Sequence, residues 1–129
     1  MGTKQAEIES VIRDYIEGWY FADPERMKQA LHPDLAKRGL HVIEATGKAH
    51  FVHASASSMV EYTRAKLGKL DPGADPEISI RLLEVRDNTA SAVVTSVKFV
   101  DHVHLALCEG RWQIVNVLWE PARSKAGSA

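Results

Sequence analysis

The stretch Asp101-His102-Val103-His104-Leu105-Ala106-Leu107-Cys108-Glu109-Gly110-Arg111-Trp112-Gln113-Ile114-Val115-Asn116-Val117-Leu118-Trp119 decides the architecture. It divides at Glu109-Gly110, a pair suited to a tight turn, into two β-rich runs, Asp101–Cys108 and Arg111–Trp119. Strands joined so closely pair antiparallel. The long last strands carry apolar residues on both faces: Val103, Leu105 and Leu107 on one, Val100, Ala106 and Cys108 on the other. One face can cover helices. The other needs a partner or remains an exposed apolar patch.

Upstream, Thr89–Val100 is also β-rich and follows a turn at Asp87-Asn88. Ile78, Ile80 and Leu82 alternate from Glu77 onward, and Leu82-Leu83 shifts the phase as a bulge would. Before Glu77 the character changes. Leu70 to Pro76 is rich in Asp, Pro and Gly and reads as a loop. Thr3 to Ala22 is the clearest helix. Ile8, Val11, Ile12, Tyr15, Ile16 and Trp19 form one stripe at helical period, with Thr3 as N-cap. Asp23-Pro24 caps and opens a short second helix, with Met27, Ala30 and Leu31 as its buried side and Pro33 ending it.

Leu35 to Ala45 reads as a strand or bent hairpin, with a bulge at Gly39 and a break at Gly47. A third helix begins between Ser55 and Ser58. Ser58-Met59-Val60-Glu61 has capping-box spacing, Met59, Val60, Thr63 and Leu67 supply the stripe, and Gly68 is the stop. The expectation is one domain over 1–129, with its core from about 3 to 121 and a flexible tail over 122–129.

The composition excludes several classes of function. Formal net charge is -1, from 16 basic and 17 acidic residues, with no basic stripe for nucleic acid. No apolar run approaches the ~20 residues of a membrane span, and Met1 to Glu9 is too polar for a secretory signal. The lone Cys108 permits no internal disulfide, which fits a reducing, cytoplasmic setting. It reads as a packed thiol. No glycine-rich phosphate loop and no cofactor motif is present, so no cofactor is expected.

Three stretches carry a family resemblance: Tyr15-Ile16-Glu17-Gly18-Trp19-Tyr20-Phe21-Ala22-Asp23-Pro24-Glu25-Arg26-Met27, then Leu31-His32-Pro33-Asp34 with Arg38-Gly39, then Phe99 to Leu105 with Glu109 to Asn116. Together they resemble the NTF2-like (SnoaL-like) superfamily, in its putative lumazine-binding branch. The resemblance covers about Glu7 to Trp119. It implies an α+β cone, three N-terminal helices packed on a strongly curved antiparallel sheet, with a pocket at the open end. It also implies a homodimer through the outer sheet face. The superfold hosts many unrelated activities, so function must come from the site.

By that resemblance, Tyr15 matches a helix-one tyrosine that ketosteroid isomerase-like members use as an oxyanion donor. Asp101 matches a strand aspartic acid kept protonated as a second donor. The base of that reaction would stand near the start of the strand after helix two. Gly39 and Leu40 occupy those positions and neither accepts a proton, which argues against the isomerase reaction. Asp34, upstream, caps or turns the chain. The other reading makes Tyr15 core and Asp101 a strand-start residue bonded to backbone.

Among the histidines, His102 and His104 share a strand face and could grip a metal only with a third ligand. If Asp101, Val103 and Leu105 face inward, those two face the expected dimer surface, and no metal site is expected. His50 and His53 are three apart in a segment of open assignment. His32 and His41 complete the set. Trp19, Met59 and Trp119 could line a pocket for a flat ring, or be ordinary core. Val115, Val117 and Trp119 face the pocket in one register; Trp112, Ile114, Asn116 and Leu118 do in the other.

The leading expectation is a homodimer that binds a small apolar or aromatic molecule, lined by Tyr15, Trp19, Met59, Asp101, Val103 and Trp119, with no covalent step. An acid/base enzyme on a polyketide-like or aromatic substrate is the alternative, with Asp101 or a histidine moving the proton. A third reading is a dimeric interaction module with a vestigial pocket.

Overall fold

The computed structural model describes residues 3–123. Helix α1 (Lys4–Tyr20) is capped by Thr3, whose side chain accepts the Ala6 N–H. Helix α2 (Pro24–Ala30) is capped by Asp23, with Pro24 in its first turn. Strand β1 (Leu31–Val42) follows directly and turns through Gly47, at φ +71°, into β2 (Ala49–Ala54). Helix α3 (Ala56–Arg64) comes next. The chain closes with β3 (Ser79–Val85), β4 (Thr89–Thr95), β5 (Phe99–Cys108) and β6 (Arg111–Pro121).

One six-stranded sheet runs β2-β1-β6-β5-β4-β3. All its pairs are antiparallel except β1 with β6, which are parallel and are joined by the long connection through β2, α3 and β3 to β5. The fold is thus α+β and the sheet mostly antiparallel. Register shifts between Leu31 and Ala36, Leu82 and Glu84, and His104 and Leu105 mark where it bends. The helices lie on its inner face, α1 against β6 and α3 against β1.

The α1 stripe packs as its period demands, with Ile8, Ile12, Tyr15 and Ile16 buried. It runs one residue further than expected, to Tyr20, which is fully buried. The Tyr20 hydroxyl sits 2.7 Å from Ser96 Oγ and accepts the Lys98 N–H at 3.2 Å. Those partners lie in the turn between β4 and β5, so the β-rich run Thr89–Val100 is two strands meeting at Ser96–Lys98.

Several expectations need correction. Hairpin strand β2 occupies the segment of open assignment, so His50 and His53 are strand residues; His50 pairs with His41. The α3 cap is Ser55, in a reciprocal box with the Ser58 side chain rather than one built from Ser58 and Glu61. The helix ends at Arg64, so Leu67 falls outside the stripe and is 66% exposed. Gly39 is no bulge: it pairs regularly with Val52 and with Trp119. Asp34 caps no helix; it lies exposed in β1, where its N–H donates to His32 Nδ1. Of the tail expected to be flexible over 122–129, Ala122 donates its N–H to the Lys98 carbonyl at 2.8 Å. The rest of that expectation, positions 124–129, lies outside the described residues.

Strand β6 resolves its two registers by using both. Ile114 pairs with Leu105 and Asn116 with His104, leaving Val115 as the extra residue of a bulge. Trp112 and Ile114 are buried before the bulge; Val117 is buried and Trp119 half-buried after it. A single inserted residue reverses which alternate positions face inward.

Candidate functional site

Elements from both layers meet around a cavity of about 270 Å³. Helix α1 contributes Tyr15, Ile16 and Trp19 on consecutive turns. Helix α3 supplies Met59 and Tyr62, and the β1–β2 hairpin supplies Lys37, Val52, His53 and Ala54. Phe99 and Asp101 come from β5 and Trp119 from β6. The Phe99 and Trp119 rings meet edge to face at 5.3 Å. Val52, His53 and Tyr62 are exposed and rim the mouth; Tyr15, Lys37, Met59 and Asp101 are buried at its inner wall.

Two glycines make room for the tryptophans. A Cβ on Gly39 would stand 2.1 Å from the Trp119 ring, and one on Gly68 would stand 2.1 Å from the Trp19 ring. Each indole lies flush on backbone where any side chain would displace it.

Three polar side chains interrupt this apolar wall and join in one line. Lys37 Nζ donates to the Tyr15 hydroxyl at 2.6 Å. That hydroxyl donates to Asp101 Oδ2 at 2.7 Å. Asp101 Oδ1 is buried and has no hydrogen-bond partner among the described residues. Lys37 Nζ also lies 4.8 Å from the Tyr15 ring centroid.

Burial dominates the proton affinities here. It lowers the Lys37 ammonium to about 8, although the Asp101 charge pulls it partly back up. It raises the Asp101 carboxyl above the ordinary aspartate value, against the lowering effects of Lys37 and the Tyr15 hydrogen bond. Tyr15 is pushed well above the ordinary phenol by burial and then by the Asp101 charge. In the hydrogen bond between them Tyr15 is the donor and Asp101 Oδ2 the acceptor.

A model of the family described as "Putative lumazine-binding" matches residues 3–120. The chain belongs to this family. Solved structures share the family's NTF2-like fold. An NTF2-like protein of unknown function from Silicibacter pomeroyi DSS-3 aligns with a TM-score of 0.75 at 18% identity, over 95% of this chain and 100% of that one. One from Shewanella baltica OS155 gives 0.66 at 19%, over 96% and 100%. A ketosteroid isomerase-like protein from Erwinia carotovora atroseptica SCRI1043 gives 0.63 at 13%, over 96% and 100%. At such identities the likeness establishes the fold alone. None of the curated proteins matches the sequence.

Within this lumazine-binding-family domain, Tyr15, Trp19, Met59, Asp101 and Trp119 all border the cavity. Val103 does not: it is buried in the core two residues beyond Asp101. Asp101 lies inside β5 with its side chain on Tyr15, not at a strand start. Gly39 faces Trp119, and no acceptor stands there or at Leu40. Sequence reasoning missed Lys37. Its signal was the period of β1: Leu35, Lys37 and Gly39 are all buried at alternate positions, so a lysine shares the inward face. His102 and His104 are exposed on the outer face, with His104 Nδ1 3.2 Å from Asn116 Nδ2. No group of three or more metal-binding side chains comes together among the described residues.

Proposed function

We propose that this protein binds a small, flat, mainly apolar molecule whose one polar edge carries a hydrogen-bond donor beside an acceptor. The orphaned Asp101 Oδ1 carries the reading. A carboxylate oxygen left buried and unpaired is costly, and a ligand N–H or O–H would satisfy it. Lys37 spends one of its donors on Tyr15 and can offer another to a ligand carbonyl. Trp19, Phe99 and Trp119 supply surfaces for ring contact, and about 270 Å³ suits one or two fused rings. Lumazine, which the family description names, is one ring system with N–H donors beside carbonyls. A vestigial pocket would be filled by its own side chains, which this cavity is not.

The test is binding of a heteroaromatic panel that includes lumazine, read by quenching of Trp19 and Trp119 fluorescence, in the wild type and in Asp101→Asn. Tyr15 must keep donating to the amide oxygen, which aims the amide NH2 where Oδ1 stood. A ligand donor then meets a donor, and affinity should fall about 10–100-fold. Equal affinity in both proteins sinks the reading.

The same proposal includes a homodimer through the outer sheet face, where His102, His104 and Leu118 are exposed on adjacent strands. Leu118, 45% exposed, is apolar surface that a second copy would cover. Sedimentation should give a dimer, and Leu118→Asp should give a monomer.

A further inference from the structure

The geometry points to Lys37 as a nucleophilic amine that condenses reversibly with small uncharged aldehydes entering the cavity, with the Tyr15 hydroxyl moving the protons. The inference rests on the binding reading to the extent that the aldehyde must enter the same cavity.

Imine formation needs an amine with an available lone pair, a proton carrier in contact with it, and space for the carbonyl carbon. Lys37 is buried on β1 among the residues that line the cavity, and its Nζ lies 2.6 Å from the hydroxyl of Tyr15, which lines it too. Among the described residues no carboxylate forms an ion pair with it; Asp101 reaches it only through the Tyr15 hydroxyl. Burial lowers its proton affinity to about 8. At pH 7 roughly one Lys37 in ten is then neutral, against about one in three thousand for an exposed lysine. The other titratable groups facing this space are Tyr15 from α1, Asp101 from β5, His53 from β2 and Tyr62 from α3. Only Asp101 opposes the loss of the Lys37 proton.

The chemistry balances without an oxidant or a second reactant. The Nζ lone pair forms a C–N bond to the carbonyl carbon while the C=O π pair moves to oxygen. Tyr15 O–H protonates that oxygen and recovers a proton from the nitrogen. The C–O bond then breaks as C=N forms, the nitrogen sheds its second proton, and one water leaves through the mouth between Val52 and Tyr62. The phenol suits a relay because it stays protonated between events, held so by burial and by Asp101. No arginine borders the cavity, and Asp101 would repel a carboxylate. The chemistry therefore favours uncharged aryl or branched alkyl aldehydes over oxo acids.

The experiment exposes the full chain to benzaldehyde and sodium cyanoborohydride at pH 7, with peptide mass mapping of the reduced benzyl adducts over time. Lys37 should be labelled about 100-fold faster than exposed Lys28 and Lys69. Its rate should rise with pH and level off above about 8. In Lys37→Met the fast adduct should vanish. Benzyl alcohol, which cannot condense, reports entry separately through tryptophan fluorescence. Labelling of Lys37 no faster than Lys28, with benzyl alcohol bound, overturns the amine and leaves the binding reading intact. Fast Lys37 labelling without detectable benzyl alcohol binding supports the amine and counts against the binding reading.

Discussion

Trp19 shows how one side chain can serve packing and access together. It stands one residue before the end of the α1 stripe, yet it is only half-buried: it borders the cavity while its ring lies on Gly68. Full burial would make Trp19→Ala cost about 3–5 kcal/mol. Here the loss should be nearer 2 kcal/mol, since part of the ring already meets solvent space. Urea denaturation measures it, and a change below about 0.5 kcal/mol would make Trp19 a rim residue. Lys37 illustrates the opposite: a side chain that is seldom fully buried, held in the wall by a phenol. The family resemblance drew the sequence reading to Tyr15 and Asp101, and metal-ligand spacing drew it to the histidines, whereas Lys37 sat unremarked in a strand whose alternation already placed it inward. Residue type is a poor guide to burial where a polar partner is supplied from another element.

Strands β1 and β6 form the element-scale hinge of the site. They run parallel, and their register sets Gly39 against Trp119. Adding one methyl at Gly39 would put carbon 2.1 Å from a ring that is itself held by Phe99. Gly39→Ala should therefore cost about 1–3 kcal/mol and shift Trp119 emission as the indole is pushed into the cavity. An unchanged spectrum with unchanged stability would mean that Trp119 is free to move. The helices were legible because caps and a 3.6-residue period are local: Thr3 and Asp23 cap as their chemistry dictates. Strand β2 was not, since Ala49–Ala54 is mostly exposed and carries no inward alternation. The β6 register was undecidable from period alone because the bulge at Val115 obeys pairing to β5, a non-local constraint. Tyr15 and Asp101 could be named beforehand, but their meeting at 2.7 Å depends on how the sheet curves over α1.

For the molecule as a whole, the Lys37–Tyr15–Asp101 line makes folding stability depend on alkaline pH in an unusual direction. An unfolded lysine holds its proton to about 10.5, whereas folded Lys37 releases it at about 8. Below pH 8 both states are protonated and the cost of burying the ammonium is carried in full. Between about 8 and 10.5 the unfolded chain binds more protons, so stability rises with pH through that window. Asp101 has the opposite sign. Its raised value keeps a proton longer in the folded state, so its contribution falls as pH climbs above the ordinary aspartate range. Tyr15, raised well above 10, loses stability only once unfolded tyrosine ionises, which sets the upper limit of the measurement. The comparison that isolates Lys37 is wild type against Lys37→Met, because the exposed lysines cancel. From pH 7 to pH 10 the wild type should gain about 2 kcal/mol relative to the variant in urea denaturation. In the variant Asp101 faces no ammonium and holds its proton still longer, which moves the difference the same way. A difference that stays flat across this range, or shrinks, would mean that Lys37 titrates as a solvated amine and that the apolar wall around it is open to water.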